Sequence, residues 1–417
     1  MGLRFSAALT IGFALCAMSA QASDKAAKKI EPHWIATWGT SQVGPEPSQA
    51  QLTDAQLTDT TVRQIVRVSV GGTTVRVQLS NAFGTRPLRV DAVHVAQAKS
   101  PASSAIDATT DHPVTFDGRD SVVIPTGSVW VSDPVQMQVD PLSDLSISFH
   151  YAEPPSVQTS HPGSRATSYL LHGVHSGDPE LVDAEKTVRW LGLAEVDVIA
   201  DEAARTVIAL GDSITDGHGA TTDGNDRWTD ELAKRLQADK KLRDVAVVNE
   251  GIGGNALLTH ALGEPVLERF DRDVLAVSGV KYVIVLEGIN DLGAVARRPA
   301  ATQGDHDELV KRMEGAFAQI VARAHAHGIL AYGATIMPDG KSGYYHPNAM
   351  DDAAREAVNA WILAPGHFDG VVDLDKLTRD PANPMQLNPA FDSGDGLHPG
   401  PVGYKAMGDA IPLEWFK

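Results

Sequence analysis

The chain has 417 residues, 43% of them hydrophobic, a single cysteine and a formal charge of −18. That length exceeds what one hydrophobic core ordinarily supports, so two domains are expected, and the ordinary apolar content excludes extensive disorder. The acidity argues against nucleic acid or an anionic membrane surface as a partner.

Met1-Gly-Leu-Arg4 carries one positive charge, Phe5 to Met18 is apolar and uncharged, and Ser19-Ala-Gln-Ala22 has the small-x-small form of a cleavage site. The pattern predicts a signal peptide over 1–22 and a secreted or periplasmic protein. The apolar run is too short for a stable membrane anchor. Cys16 lies inside that run, so the exported chain would have no disulfide, no thiolate metal site and no cysteine nucleophile. Residues 23–33 read as a short flexible lead.

From 34 to 200 the text is that of strands. Val66 to Val70 alternates, Gly71-Gly72 suggests a hairpin turn, and Thr74 to Ser80 alternates again. Leu145, Ile147 and Phe149 alternate with Ser146, Ser148 and His150, which predicts one buried face and one wet face. Val122 to Ile124 and Val129 to Val131 flank a Pro-Thr-Gly turn. The expected architecture is an antiparallel β-sandwich of jelly-roll type.

From 201 to 417 strands and helices alternate. Strands are predicted at Thr206–Leu210, Val245–Asn249, Tyr282–Leu286, Ile329–Ala334 and Val371–Leu374. Helices are predicted at Trp228–Leu236, Pro265–Val274, Asp307–His327 and Asp351–Leu363. This repetition predicts a parallel sheet covered on both faces.

Four segments of this half carry chemistry. In Ala209-Leu-Gly-Asp-Ser-Ile-Thr215, Ser213 follows a buried strand and so stands at the carboxyl edge of the sheet, where open α/β sheets bind ligands. Alone, Gly-Asp-Ser is a capping turn, and a serine hydroxyl needs a neighbouring base to act as a nucleophile. Asp395-Gly-Leu-His398 can supply it: Asp395 accepts from Nδ1 of His398 and leaves Nε2 free, the division of labour of a Ser-His-Asp triad. Gly254 follows the second strand and Asn290 the third. With the Ser213 amide they can point donors at one oxyanion. Individually these are also turn glycines and a helix cap. His260, His325 and His327 read as surface histidines, and Trp228, Trp361 and Trp415 as core. Tyr344-Tyr345-His346 reads as a mobile surface loop, with the cleft border as the alternative. There is no His-Glu-x-x-His motif, phosphate loop or dinucleotide fingerprint, and neither metal nor cofactor is expected.

The four blocks, in this order, resemble the SGNH/GDSL hydrolases, whose serine, glycine, asparagine and Asp-x-x-His positions fall on Ser213, Gly254, Asn290, Asp395 and His398. The resemblance covers about Arg205 to the end. It implies a flavodoxin-like three-layer α/β fold with a five-stranded sheet and a serine esterase without cofactor or metal. The segment Trp34-Ile-Ala-Thr-Trp38, the segment Leu79-Ser-Asn-Ala-Phe-Gly84 and the Gly71-Gly72 pair are similar to the β-rich extension of secreted members grouped with carbohydrate esterases. Such a domain can bind glycan, cover the cleft or support the fold. The expected substrate is a small-molecule or polysaccharide ester, with acetyl on carbohydrate preferred. The alternatives are a lipase, lysophospholipase or arylesterase, an acyltransferase, or a glycan-binding protein with a vestigial hydrolase domain.

Overall fold

Five runs rich in Val, Ile, Leu and Ala form a parallel sheet. They are β1 (Arg205–Gly211), β2 (Val245–Gly251), β3 (Val280–Leu286), β4 (Leu330–Ala334) and β5 (Gly370–Val372). This computed structural model describes residues 1–2 and 32–417. Apart from Met1 and Gly2, the expected signal peptide lies outside the described residues, as does most of the lead. The strand order is 2-1-3-4-5. The order reverses between β1 and β3, and the crevice outside their carboxyl ends is where such sheets bind ligands.

The helices around it include α1 (Ser213–Asp216), α2 (Trp228–Ala238), α3 (Ile289–Ala296), α4 (Gln303–Ala326), α5 (Ala349–Leu363) and α6 (Pro401–Ala410). Buried Trp228, Leu232 and Leu236 of α2 share the core with Met313, Phe317 and Ile320 of α4 and with the sheet. α4 starts four residues before the predicted Asp307. Thr302 caps it and Asp305 returns the bond, a capping box that satisfies two orphan amides. The helix predicted from Pro265 to Val274 is a short α-helical piece, Val266–Phe270, followed by a π-helical turn over Asp271–Leu275. Among the described residues no helix is long and apolar enough to cross a membrane.

The N-terminal half is β-rich, with an antiparallel sheet of five strands and another of seven. Val75, Val77 and Val196 of the first share one core with Val62, Val66 and Phe149 of the second. Two expectations fail here. Gly71-Gly72 is not a hairpin, because Thr60–Arg67 and Gly72–Ser80 belong to different sheets. The link crosses the sandwich, with Ser69 N and Val70 N bonded to Thr37. A Cβ on Gly71 would lie 2.3 Å from the carbonyl oxygen of Val139, so close backbone approach demands the glycine. Nor is the second face of Asp144–Tyr151 wet: Ser146, Ser148 and His150 are all buried. Ser148 Oγ accepts from Nε of Arg63 at 2.8 Å, and the Arg63 guanidinium also donates to the carbonyls of Ser104, Ser176 and Asp178, which close over that face.

The two halves meet along β2, an edge strand. An open edge invites pairing with other chains, and here the sandwich covers it. Val247 N donates to Ser69 Oγ at 3.0 Å, and Ser41 Oγ donates to Glu250 Oε2 at 2.7 Å. Thr206 Oγ1 of β1 donates to the carbonyl of Ala36 at 3.1 Å. From His33 to Lys417 the chain is one compact unit.

Arg269, 1% exposed, gathers these parts. Its guanidinium donates to the carbonyl of Gly211 at the end of β1 (3.0 Å) and to that of Glu250 at the end of β2 (2.8 Å). It also donates to Asn255 Oδ1 (3.0 Å), Ser41 Oγ (2.8 Å) and the Asp273 carboxylate (3.0 Å). Acids crowd the same layer. Burial pushes Glu250 and Glu287 well above the usual carboxylate range, and neighbouring carboxylates add to it while Arg269 opposes. Burial likewise pushes Asp212 up to about 7 and Asp291 to about 6.

Removing one member of a buried ion pair typically costs about 3–5 kcal/mol. Arg269→Met should lower the unfolding free energy in urea titration by the lower part of that range, because five acceptors each lose a donor while Asp273 keeps the bond from Arg272 Nε at 2.7 Å. Glu287 has one oxygen accepting from Gly288 N and the other without a donor among the described residues. A carboxyl group with a raised folded pKa binds its proton more tightly in the native state. Its contribution to stability is therefore complete below the unfolded pKa of about 4.3 and is lost as pH rises through the folded value. The Tm of Glu287→Gln should accordingly gain on wild type as pH rises above about 5. A pH-independent difference would contradict the assignment.

Candidate active site

β1 ends at Gly211, where a Cβ would sit 2.4 Å from the carbonyl oxygen of Leu286 in β3. Glycine lets the two strands stay together up to the crevice. The next residue, Asp212, caps α1 by accepting from Ile214 N at 2.9 Å. The helix lasts one turn and stops at Gly217, whose φ of 104° is a left-handed value. Ser213 is thereby held at the first helical position, at the mouth of the crevice.

Its Oγ lies 2.8 Å from Nε2 of His398, and Nδ1 of that ring lies 2.6 Å from Oδ2 of Asp395. Oδ1 of Asp395 accepts from the amides of Leu397 (2.9 Å) and His398 (2.8 Å), through a turn in which Gly396 takes a φ of 73°. Burial pushes the Asp395 carboxyl up, but the hydrogen bonds from His398 and the backbone outweigh it and hold the group well below the usual carboxylate range. A hydroxyl, an imidazole and a fixed carboxylate in this sequence can move a proton off the hydroxyl as it attacks.

Gly254 (φ 74°) and Asn290 face the same cleft, of about 780 Å³, as Ser213 and His398. The Leu262 side chain packs where a Cβ on Gly254 would lie. Neither the Ser213 nor the Gly254 amide finds an acceptor among the described residues. Asn290 sits in the first turn of α3. Its Nδ2 donates to the carbonyl of Asn255, its Oδ1 accepts from the Tyr345 hydroxyl, and its second amide hydrogen is left over. The next residue, Asp291, accepts from Leu257 N (2.7 Å) and Leu258 N (3.0 Å), fixing the loop that carries Gly254. All five residues singled out in the sequence thus converge.

Other groups at the site carry no comparable signature. Tyr344 and Tyr345, expected on a mobile surface loop, line the cleft, because Tyr345 is buried against Gly293 and bonded to Asn290. His218, in a Gly-His-Gly turn, packs against His398 with ring centroids 4.0 Å apart and planes tilted by 41°. The sandwich supplies a wall: Pro162, Gly163 and Arg165 line the cleft, and His161 Nε2 meets Asp216 Oδ1 at 3.0 Å. Nothing in the β-strand periodicity of that half points to such residues, because they sit in and just after a three-residue strand, Ser160–Pro162, too short to show alternation. His218, Asp395 and His398 could also offer three ligand atoms to a metal ion, but the bonds of the latter two to each other and to Ser213 already occupy them.

Residues 209–406 match the GDSL-like Lipase/Acylhydrolase family model. No curated protein matches the chain. Among solved structures it is similar to a GDSL-like lipase from Bacteroides thetaiotaomicron at 20% identity, over 51% of this chain and 88% of that one, with a TM-score of 0.37. It is similar also to an acetyl xylan esterase from Geobacillus stearothermophilus at 20% identity, over 51% and 94% of the two chains, with a TM-score of 0.38. The match over 209–406 spans the four blocks that build the cleft, and those residues form a GDSL-like lipase/acylhydrolase domain, the domain of a carboxylic ester hydrolase.

Proposed function

We propose that the protein is an exported serine esterase that removes short acyl groups, acetyl above all, from carbohydrate. The observation that carries the reading is the unbroken chain Ser213 Oγ, His398, Asp395, at 2.8 and 2.6 Å, on the carboxyl edge of the sheet. Ser213 Oγ attacks the ester carbonyl carbon as His398 Nε2 takes its proton, and Asp395 steadies the resulting imidazolium. The amides of Ser213 and Gly254 and the free Nδ2 hydrogen of Asn290 receive the oxyanion. The C–O bond to the alcohol then breaks as His398 returns the proton to the departing oxygen. In a second round, water gives its proton to His398 and attacks the acyl-enzyme, releasing the acid and restoring Ser213.

The small acyl group is supported by the cleft lining. Among the described residues, Leu262 and Leu397 are its only aliphatic side chains larger than alanine or proline. Burying a methylene contributes about 0.8 kcal/mol, and beyond these two leucines the large apolar surfaces of the lining are the rings of Tyr344 and Tyr345. Carbohydrate is favoured by the likeness of the β-rich half to the extensions of secreted carbohydrate esterases. Export is favoured by the signal-like text over 1–22.

Ser213→Ala should reduce hydrolysis to background while the melting curve stays cooperative, and should abolish labelling by a fluorophosphonate probe. Asn290→Ala should lower kcat by about two to three orders of magnitude, the usual cost of one oxyanion donor. Across p-nitrophenyl esters of rising chain length, kcat/KM should be highest for acetate. A maximum at long chains would point to a lipase instead.

A further inference from the structure

We propose that the cleft selects esters whose alcohol part carries a carboxylate, as in the uronate units of an acidic polysaccharide, with Arg165 and Arg297 as the anion-binding residues. This rests on the esterase reading of the cleft and names the class of its substrate.

The charge of the cleft is opposite to that of the chain. Against an overall −18, its lining holds Arg165, Arg189 and Arg297 and a single carboxylate, Asp216, which faces His161. None of the three arginines is ion-paired among the described residues. Arg189 is buried and directs its donors at Ser160 Oγ and the carbonyl of Ala50, so it contributes charge behind the wall. The guanidinium groups of Arg165 and Arg297 remain for a ligand.

Each stands beside a different part of the machinery. Arg165 donates to the carbonyl of Gly217 (3.2 Å) and to Nδ1 of His218 (3.0 Å), and the His218 ring packs against that of His398. In the proposed mechanism His398 protonates the leaving alcohol, so Arg165 lies on the alcohol side. Its φ of 51° is a left-handed value that a side chain rarely adopts, and it recurs where binding geometry is enforced. Burial, reinforced by His398 and Arg165, pushes His218 down to about 4, so His218 stays neutral and serves Arg165 as an acceptor. Arg297 is exposed at the far end of α3, its guanidinium 5.1 Å from the centre of the Tyr345 ring, whose hydroxyl bonds Asn290.

Two separate guanidinium groups suit single negative charges repeated along a chain better than one compact dianion. Arg165 has already committed donors to Gly217 and His218, and what remains fits a planar carboxylate. The cleft also has room for a chain. Tyr344 lines both the main cleft and a second pocket of about 520 Å³ beside Lys341 and Asp392.

The test is calorimetric binding of a galacturonate trimer and of a galactose trimer to the purified protein, with glycerol 3-phosphate as a competing phosphate. Wild type should bind the uronate trimer at least about tenfold more tightly, and added salt should erode that preference. Arg165→Gln and Arg297→Gln should each reduce it several-fold, and Arg165→Lys should restore part of it. Melting curves identify any variant that fails to fold; Arg297 is exposed, so its variant decides if Arg165→Gln does not fold. Equal affinity for the two trimers overturns the proposal, as does a preference that survives both glutamine variants. Displacement of the trimer by far less glycerol 3-phosphate than uronate monomer would overturn the carboxylate assignment. Hydrolysis of p-nitrophenyl acetate is measured alongside: its absence removes the esterase reading, while the binding result still decides whether the anion site exists.

Discussion

A single buried guanidinium is the constraint on which the site depends. Arg269 holds the last carbonyls of β1 and β2, the Asn255 side chain, Ser41 of the sandwich and Asp273 at once. Strand ends fray because their carbonyls lack ladder partners. Here the two ends that carry Ser213 and the Gly254 loop are tied to one rigid planar group, whose five donors suit several acceptors at fixed angles. The nucleophile and the Gly254 loop come from different strands, and this one side chain ties their strand ends together from beneath, while Asp291 holds the loop from the side of Asn290.

The surrounding acids follow from the same arrangement. Asp212 caps the helix that presents Ser213, and Asp291 pins the loop opposite it, so both carboxyls must sit in the dry layer under the crevice. Burial then raises their proton affinity. Asp395, at the rim, is treated in the opposite way: three donors fix it and keep it ionised. A carboxylate is thus kept charged where the histidine needs it, and discouraged from charging where only a hydrogen bond is required.

Much of this was legible in the sequence, for identifiable reasons. The five parallel strands are continuous apolar runs because both their faces are buried, and the four motif blocks lie at strand ends, so topology alone brings them to one edge. The sandwich was less legible. Alternation in Asp144–Tyr151 signals a wet face, yet Arg63 donates to Ser148 on that face and the loops that accept from its guanidinium seal it. Two glycines at 71–72 signal a turn, yet they mark a tight crossing between sheets. Arg269 reads as an unremarkable residue of a surface helix, since nothing local discloses acceptors that come from residues up to 228 positions away. His218 and Arg165 carry no local signature for the same reason, and the Tyr344-Tyr345-His346 segment leaves a surface loop and a cleft border both open until its contacts with Gly293 and Asn290 are seen.

The covering of β2 by the sandwich has a consequence for how the molecule is made. Ser213 precedes its histidine by 185 residues, and the sandwich precedes both. As the chain emerges from the amino end, the sandwich is complete before any of the parallel sheet exists. It then offers Ser69 and Ser41 as a ready template for the first exposed edge of that sheet. Pairings so distant in sequence are slow to find by search alone, and a prefolded surface shortens the search. It also guards the edge against other nascent chains during the interval in which aggregation is most dangerous. The hydroxyl has no base until the segment carrying His398 arrives, so the nucleophile remains inert throughout assembly.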